Sequence, residues 1–170
     1  MDKKLEPIVQ ALQDNFGVTL EEFRGEVHVF IQAEQIVNAL TVLRDKYDFE
    51  LLSAMTAIDY WPRLSPRFHV IYQLTSLARN LVLQLRVPLE DGHPHIPTAV
   101  GVYKVANWRE RELLDMFGII PDGHPDPRRI LMPPGTDGHP LRKDYPLGYE
   151  EVQFTFNIDE INLRKPYAKE

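Results

Sequence analysis

Leu81-Val82-Leu83-Gln84-Leu85-Arg86-Val87 decides how the first half of this chain folds. Leu81, Leu83, Leu85 and Val87 share one side of a period of two, and Val82, Gln84 and Arg86 share the other. That alternation predicts a strand with one buried face. Residues 68–74 repeat it, with Val70, Tyr72 and Leu74 on one face. Residues 51–60 form a third apolar run that ends at Trp61-Pro62. The connections among the three are too short for helical crossovers, so they are expected to be antiparallel neighbours. Further upstream, Val27, Val29 and Ile31 alternate with Glu26, His28 and Gln32. Residues 18–23 are the expected hairpin partner, turning near Arg24-Gly25. His28 stands alone beside Phe30 on the opposite face, where a histidine is expected to be structural.

Helical spacing appears twice. Leu5, Ile8, Val9, Leu12 and Phe16 precede the stop signal Gly17, and Ile36, Val37, Leu40, Leu43 and Tyr47 form a second amphipathic set. The order α-β-β-α-β-β-β predicts an α+β fold: two layers, a mainly antiparallel sheet covered by helices. The expected units are residues 1–90 as the α+β domain, residues 91–148 as linker, signature helix and proline-rich segment, and residues 149–170 as a C-terminal arm.

Beyond the sheet the texture changes. Residues 87–97 hold three prolines in eleven residues and read as a linker. Thr98 is placed to cap a short helix through Ala106. Asn107 is placed to cap a second, with Glu110 as its capping-box partner and Gly118 as its stop. Residues 121–146 contain seven of the fourteen prolines, which excludes a helix of any length. Ile130, Leu131, Met132, Leu141 and Tyr145 still give that stretch apolar surface to bury. It reads as an extended, proline-stiffened segment lying across its own domain or a partner. Val152, Phe154, Phe156 and Ile158 then alternate, as a further strand or an arm onto a partner's sheet.

Composition limits the function. Nineteen basic against twenty-five acidic residues give a net charge of −6, poorly suited to nucleic acid or anionic lipid. The chain has no cysteine, so it offers no disulfide, cysteine nucleophile or thiolate ligand for zinc or an iron–sulfur cluster. No apolar run approaches the roughly 20 residues of a membrane span. The opening Met-Asp-Lys-Lys-Leu-Glu-Pro has no signal-peptide core. A cytosolic globular protein is expected, reaching a membrane only through partners. No GxGxxG, P-loop, HExxH or GxSxG motif is present.

The ionic run Arg109-Glu110-Arg111-Glu112-Leu113-Leu114-Asp115 places Arg109 with Glu112 and Arg111 with Asp115 at helical pairing distance. Glu110 and Glu112 point apart, so they form no carboxylate dyad. A charged surface face, an interface helix and an acid/base catalytic pair are the three readings, and the last is the least favoured. Asp-Gly-His-Pro occurs at residues 91–94, 122–125 and 137–140. Asp-Gly favours a turn, and proline biases the preceding histidine to an extended backbone. The histidine spacing matches no compact metal-ligand pattern. A free-standing metal-dependent enzyme using Asp91, Asp122, Asp137 and these histidines is a minor alternative, and a free-standing binding module is another.

Residues 107–119 resemble the signature of the C subunit, the 30 kDa-type subunit, of NADH:quinone oxidoreductase, respiratory complex I. The resemblance continues through Glu110, Arg111, Glu112, Asp115 and Phe117-Gly118-Ile119. It then takes in Gly123-His124-Pro125, Arg128-Arg129-Ile130-Leu131, and Gly138-His139-Pro140 with Leu141, Arg142, Lys143, Asp144, Tyr145 and Pro146.

The resemblance implies an accessory subunit of the hydrophilic arm that supports electron transfer from NADH to quinone. It would carry no flavin, iron–sulfur cluster, quinone ligand, metal or catalytic residue of its own. The implied partners are the D subunit, with the B and I subunits nearby, on the cytoplasmic side of the inner membrane. The implied partner-facing residues are Trp108, Glu110, Arg111, Glu112, Asp115, Phe117, Gly123, His124, Pro125, Arg128, Arg129, Gly138, His139, Pro140, Arg142, Lys143 and Asp144. The equivalent subunit of a related membrane-bound hydrogenase or dehydrogenase is the closest alternative.

Overall fold

The computed structural model describes residues 3–146, with Glu160 and Leu163. The expected C-terminal arm and the alternation at residues 152–158 lie outside the described residues.

Helix α1 (Glu6–Phe16) takes Pro7 in its first turn and closes on Gly17, whose φ of 61° lets its amide reach the Gln13 carbonyl. Strands β1 (Thr19–Phe23) and β2 (Glu26–Phe30) form an antiparallel hairpin. Arg24 and Gly25 both have positive φ, matching the twist of a two-residue turn. A single 3-10 turn (Ala33–Gln35) leads into α2 (Ile36–Tyr47). Strands β3 (Leu51–Asp59), β4 (Phe68–Ser76) and β5 (Leu81–Leu89) follow as antiparallel neighbours. The five-stranded order is β1-β2-β5-β4-β3, and β2 pairs with β5 in parallel. The expected fold class and element order are therefore observed.

The alternation sets the layers. Val29, Leu83, Leu85, Val70, Tyr72 and Met55 are buried with Ile8, Leu12, Ile36, Leu40 and Leu43 of the helices. Each such aliphatic side chain contributes about 1.5–3 kcal/mol by leaving water. The opposite face carries a polar ladder. Arg86 donates to Gln84 at 2.7 Å, Gln84 donates to Gln73 at 3.1 Å, and His28 lies 3.4 Å from Arg86. His28 is thus a sheet residue, in keeping with its lone position.

Three expectations change past residue 90. The proline-rich linker contains a three-residue strand, β6 (His95–Pro97), paired in parallel with β7 (Ile120–Asp122). The expected helix from Thr98 to Ala106 is a set of turns, anchored where Tyr103 donates to the Phe49 carbonyl at 2.6 Å. Helix α3 (Ala106–Phe117) starts one residue before the expected cap, so Asn107 lies inside it and Val105 precedes it without a side-chain cap. Leu113, Met116 and Phe117 of α3 join the same core as the sheet.

Candidate partner interface around the signature helix

Helix α3 carries two buried carboxylates five residues apart, in opposite environments. Asp115 sits on the side facing the proline-rich segment. Its Oδ2 accepts the backbone N–H groups of Ile130, Leu131 and Met132 at 3.0, 2.7 and 2.9 Å, and its Oδ1 accepts from Arg129 at 2.9 Å. Burial disfavours its charge, but these four donors outweigh burial and hold its pKa below the ordinary carboxylate value. Arg111, expected to pair with Asp115, instead donates to the carbonyls of Arg128 and Arg129 at 2.9 and 3.1 Å. The three consecutive amides claim the carboxylate, and Arg111 completes the same bend through its carbonyls. The expected Arg109–Glu112 pair does form along the helix, at 3.4 Å.

Glu110 does not close a capping box. It accepts from the Thr98 hydroxyl at 2.5 Å and from the Ala99 amide at 2.6 Å, tying the turns after β6 to the helix. Burial pushes its pKa up, against those donors and nearby His124. His124 is buried beside it. Its Nδ1 accepts the Asp126 amide at 3.0 Å, which leaves Nε2–H to donate to the Asn107 carbonyl at 3.1 Å.

The C-terminus of α3 is finished by a distant stretch. A helix leaves its last four carbonyls unpaired. Here Gly118 N–H serves Leu113 and Leu114, His139 Nδ1–H serves Asp115 at 3.0 Å, Leu141 N–H serves Met116 at 3.0 Å, and Arg142 Nε–H serves Phe117 at 2.6 Å. Gly118 has φ 71°, and a Cβ there would lie 2.5 Å from His139 Nε2. At Gly138 a Cβ would lie 2.9 Å from the Tyr145 ring. Arg142 brings a positive charge to the negative end of the helix, while burial first and the nearby arginines hold the His139 pKa down, so it serves there as a hydrogen-bond donor.

A third knot has no local signal in the sequence. Arg67, 1% exposed, spreads its guanidinium over three aspartates. It makes two bonds to Asp59 at 3.0 and 2.9 Å, one to Asp91 at 2.8 Å and two to Asp144 at 3.1 and 2.6 Å. The Lys143 amide adds 2.8 Å to Asp59. The aspartates hold the Arg67 pKa above its ordinary value, against burial. Asp59 stands at the end of an apolar strand and Arg67 follows a proline, and neither position advertises an ion pair. Their partners lie up to 84 residues away.

The implied partner-facing residues therefore divide. Glu110, Asp115, Phe117 and His124 are buried in this chain. Arg111, Glu112, Arg129, His139, Pro140 and Arg142 are half-buried, and most of their polar groups serve the bend or the helix end. Trp108, Gly123, Pro125, Arg128, Gly138, Lys143 and Asp144 reach the surface, although Asp144 is bound to Arg67. Trp108 is 60% exposed and Leu131 is 63% exposed. The three Asp-Gly-His-Pro copies also separate. Gly123 and Gly138 both have φ 78°, and Gly92 does not take a positive φ. Asp91 binds Arg67 and Asp122 binds His95 Nδ1 at 2.8 Å. Among the described residues, no group of three histidine or carboxylate side chains is arranged to hold a metal ion.

The chain has relatives in which this architecture recurs. The family model of the respiratory-chain NADH dehydrogenase 30 kDa subunit matches residues 29–151. The C subunit of NADH-quinone oxidoreductase from Roseiflexus sp. (strain RS-1) is 47% identical over 151 residues, covering 88% of this chain and 86% of the relative. The protein of that name from Herpetosiphon aurantiacus is 43% identical over 155 residues, covering 90% of each. A solved structure of Nqo5, the trypsin-resistant fragment (1-134), superposes with a TM-score of 0.64 at 29% identity, over 72% of this chain and 98% of that one. A chain of the membrane-bound sulfane sulfur reductase, an archaeal respiratory membrane complex, gives 0.69 at 18% identity over 99% and 97% of the two chains, and so shares the fold. With its signature residues accounted for one by one and its sequence matched over most of its length, the chain belongs to the family of the 30 kDa subunit of respiratory-chain NADH dehydrogenase.

Proposed function

We propose that the chain is an accessory subunit of the hydrophilic arm of a proton-translocating NADH:quinone oxidoreductase. It holds neighbouring subunits in place and carries no redox centre. The observation that carries this reading is the state of the signature carboxylates. Asp115 is saturated by four donors and Glu110 is sealed under Thr98 and Ala99, so both shape a surface and neither is positioned to exchange a proton with a substrate. The cysteine-free sequence supports the same view, since thiolate-bound clusters would have to sit on partners. Those partners are taken to be the equivalents of the D, B and I subunits, and the location the cytoplasmic side of the inner membrane. No helix among the described residues is long and apolar enough to cross a membrane.

The test is affinity purification of the tagged chain from its source under gentle conditions. The expected result is stoichiometric recovery with flavin- and cluster-bearing NADH-oxidising subunits. Recovery alone, or with a nickel-bearing hydrogenase, overturns the reading. Arg111 is a poor probe of assembly because it also holds the carbonyls of Arg128 and Arg129. Glu112, which pairs with Arg109 along the helix surface, is the better one.

A further inference from the structure

Arg111, Arg128 and Arg129 line one cleft with Ile130, Met132 and Pro134, a space of about 520 Å³. We propose that this cleft receives an acidic side chain of a neighbouring subunit, seated against Trp108. The proposal rests on the chain being a subunit of a larger complex and names the chemistry of one contact.

Among the described residues, three guanidinium groups face two carboxylates, Asp115 and Asp126, which leaves a local excess of positive charge on a chain of net charge −6. Arg111 is the least neutralised of the three. Among the described residues its hydrogen bonds go to neutral carbonyls, and its nearest carboxylate oxygen, on Asp126, is 3.8 Å away. Those carbonyl bonds fix the planar fork, so a carboxylate meets donors that are already oriented. Arg128 lies along the rim with a side chain 78% exposed, paired with Asp126 at 2.6 Å. Exposed pairs of this kind are weak, so an incoming carboxylate can take over from Asp126.

The apolar part of the contact is also built. Arg111 lies 5.3 Å over the Trp108 ring, which holds that exposed indole beside the 128–132 bend. Leu131 projects between Ile130 and Met132 at 63% exposure. Tryptophan and arginine are the residue types that most often dominate interface energetics. The occupant is therefore an aspartate or glutamate flanked by an apolar residue.

The experiment uses the intact complex. Leu131 is replaced by a photo-crosslinking phenylalanine analogue, the complex is purified, and the adduct is sequenced by mass spectrometry. The expected adduct lies on a neighbouring subunit, within a few residues of an aspartate or glutamate. Arg128→Glu is then expected to weaken retention of that subunit about tenfold at low salt, with recovery when the contacted acid is changed to lysine. An adduct with no acid nearby, an adduct on a second copy of this chain, or full retention by Arg128→Glu overturns the proposal. Arg128→Gln serves if the charge reversal reduces folding, which circular dichroism of the full chain reads. Should the wild-type chain bring no NADH-quinone oxidoreductase subunits with it, the broader assignment fails. If they come along and the adduct is apolar or basic, only the acidic contact fails.

Discussion

Strand β5 and the irregular stretch from Arg128 to Arg142 are held in contrasting ways. In β5 every second side chain is buried, and both edges pair with neighbours, β4 antiparallel and β2 parallel. Its position follows from its own pattern. The 128–142 stretch buries little of itself, and Leu131 and Leu141 face outward. It is held by groups from elsewhere: the Asp115 carboxylate, the carbonyls ending α3, and just beyond it the Arg67 cluster. One region is fixed by area removed from water, the other by a few buried polar atoms that must all find partners. The first kind tolerates shape-conserving change, and the second fails when one partner is removed.

Arg67→Met is expected to have the largest effect, because Arg67 joins the two regions. It leaves Asp59 buried without its cation, a loss of about 3–5 kcal/mol. Denaturant unfolding should show a lower midpoint, and proteolysis a freed segment near Asp144. Leu85→Ala should cost about 2–5 kcal/mol and act on the sheet, lowering the midpoint while leaving the segment's relative protection alone. Asp115→Asn is the converse. It should reduce the segment's opening free energy by about 1–3 kcal/mol, seen as faster trypsin cleavage after Arg128 and Arg129 with a near-normal midpoint. Equal midpoint losses for Leu85→Ala and Asp115→Asn would show that the two regions do not respond separately. Gly118→Ala should cost about 1–2 kcal/mol for the left-handed backbone, plus whatever His139 loses by moving, and expose the same cleavage sites.

The smallest effect is in the pH dependence, where α3 gives two opposite signs. Asp115 has a depressed folded pKa, so its contribution is present above the unfolded value of 3.8 and is lost as pH falls through the folded one. The gap between wild type and Asp115→Asn should therefore close in acid. Glu110 has a raised folded pKa, so its relative stability is greatest below the unfolded value of 4.5 and falls as pH rises through the folded one. Glu110→Gln should gain on wild type from acid to neutral pH. Urea titrations at three pH values read both, and a common sign for the two variants would break the contrast.

The sheet is legible in the sequence because its information is local. Alternation in residues 81–87, helical spacing before Gly17 and the Arg24-Gly25 turn each predict their own structure. The signature is legible as a motif, not as joinery. Asp115 bonds backbone amides that any residue but proline could supply, so little at positions 130–132 advertises the contact. Glu110 has the right spacing from Asn107 for a capping partner, but the helix begins earlier and Thr98 lies closer. Arg67, Asp59 and Asp144 are joined only by the fold. Strands β6 and β7 are hidden by prolines, which two short paired edges tolerate.

One residue grips the chain on either side of residues 133–138. The Asp115 carboxylate ends its hold at Met132, and the Asp115 carbonyl takes up His139. What lies between is a loop whose two ends are pinned to the same residue, with buried Thr136 and the Gly138 carbonyl as its further anchors. Doubling such a loop costs only about 0.6 kcal/mol in closure entropy. Gly135, exposed and with open space around it, is where an engineer could graft a tag or a reporter into the protein.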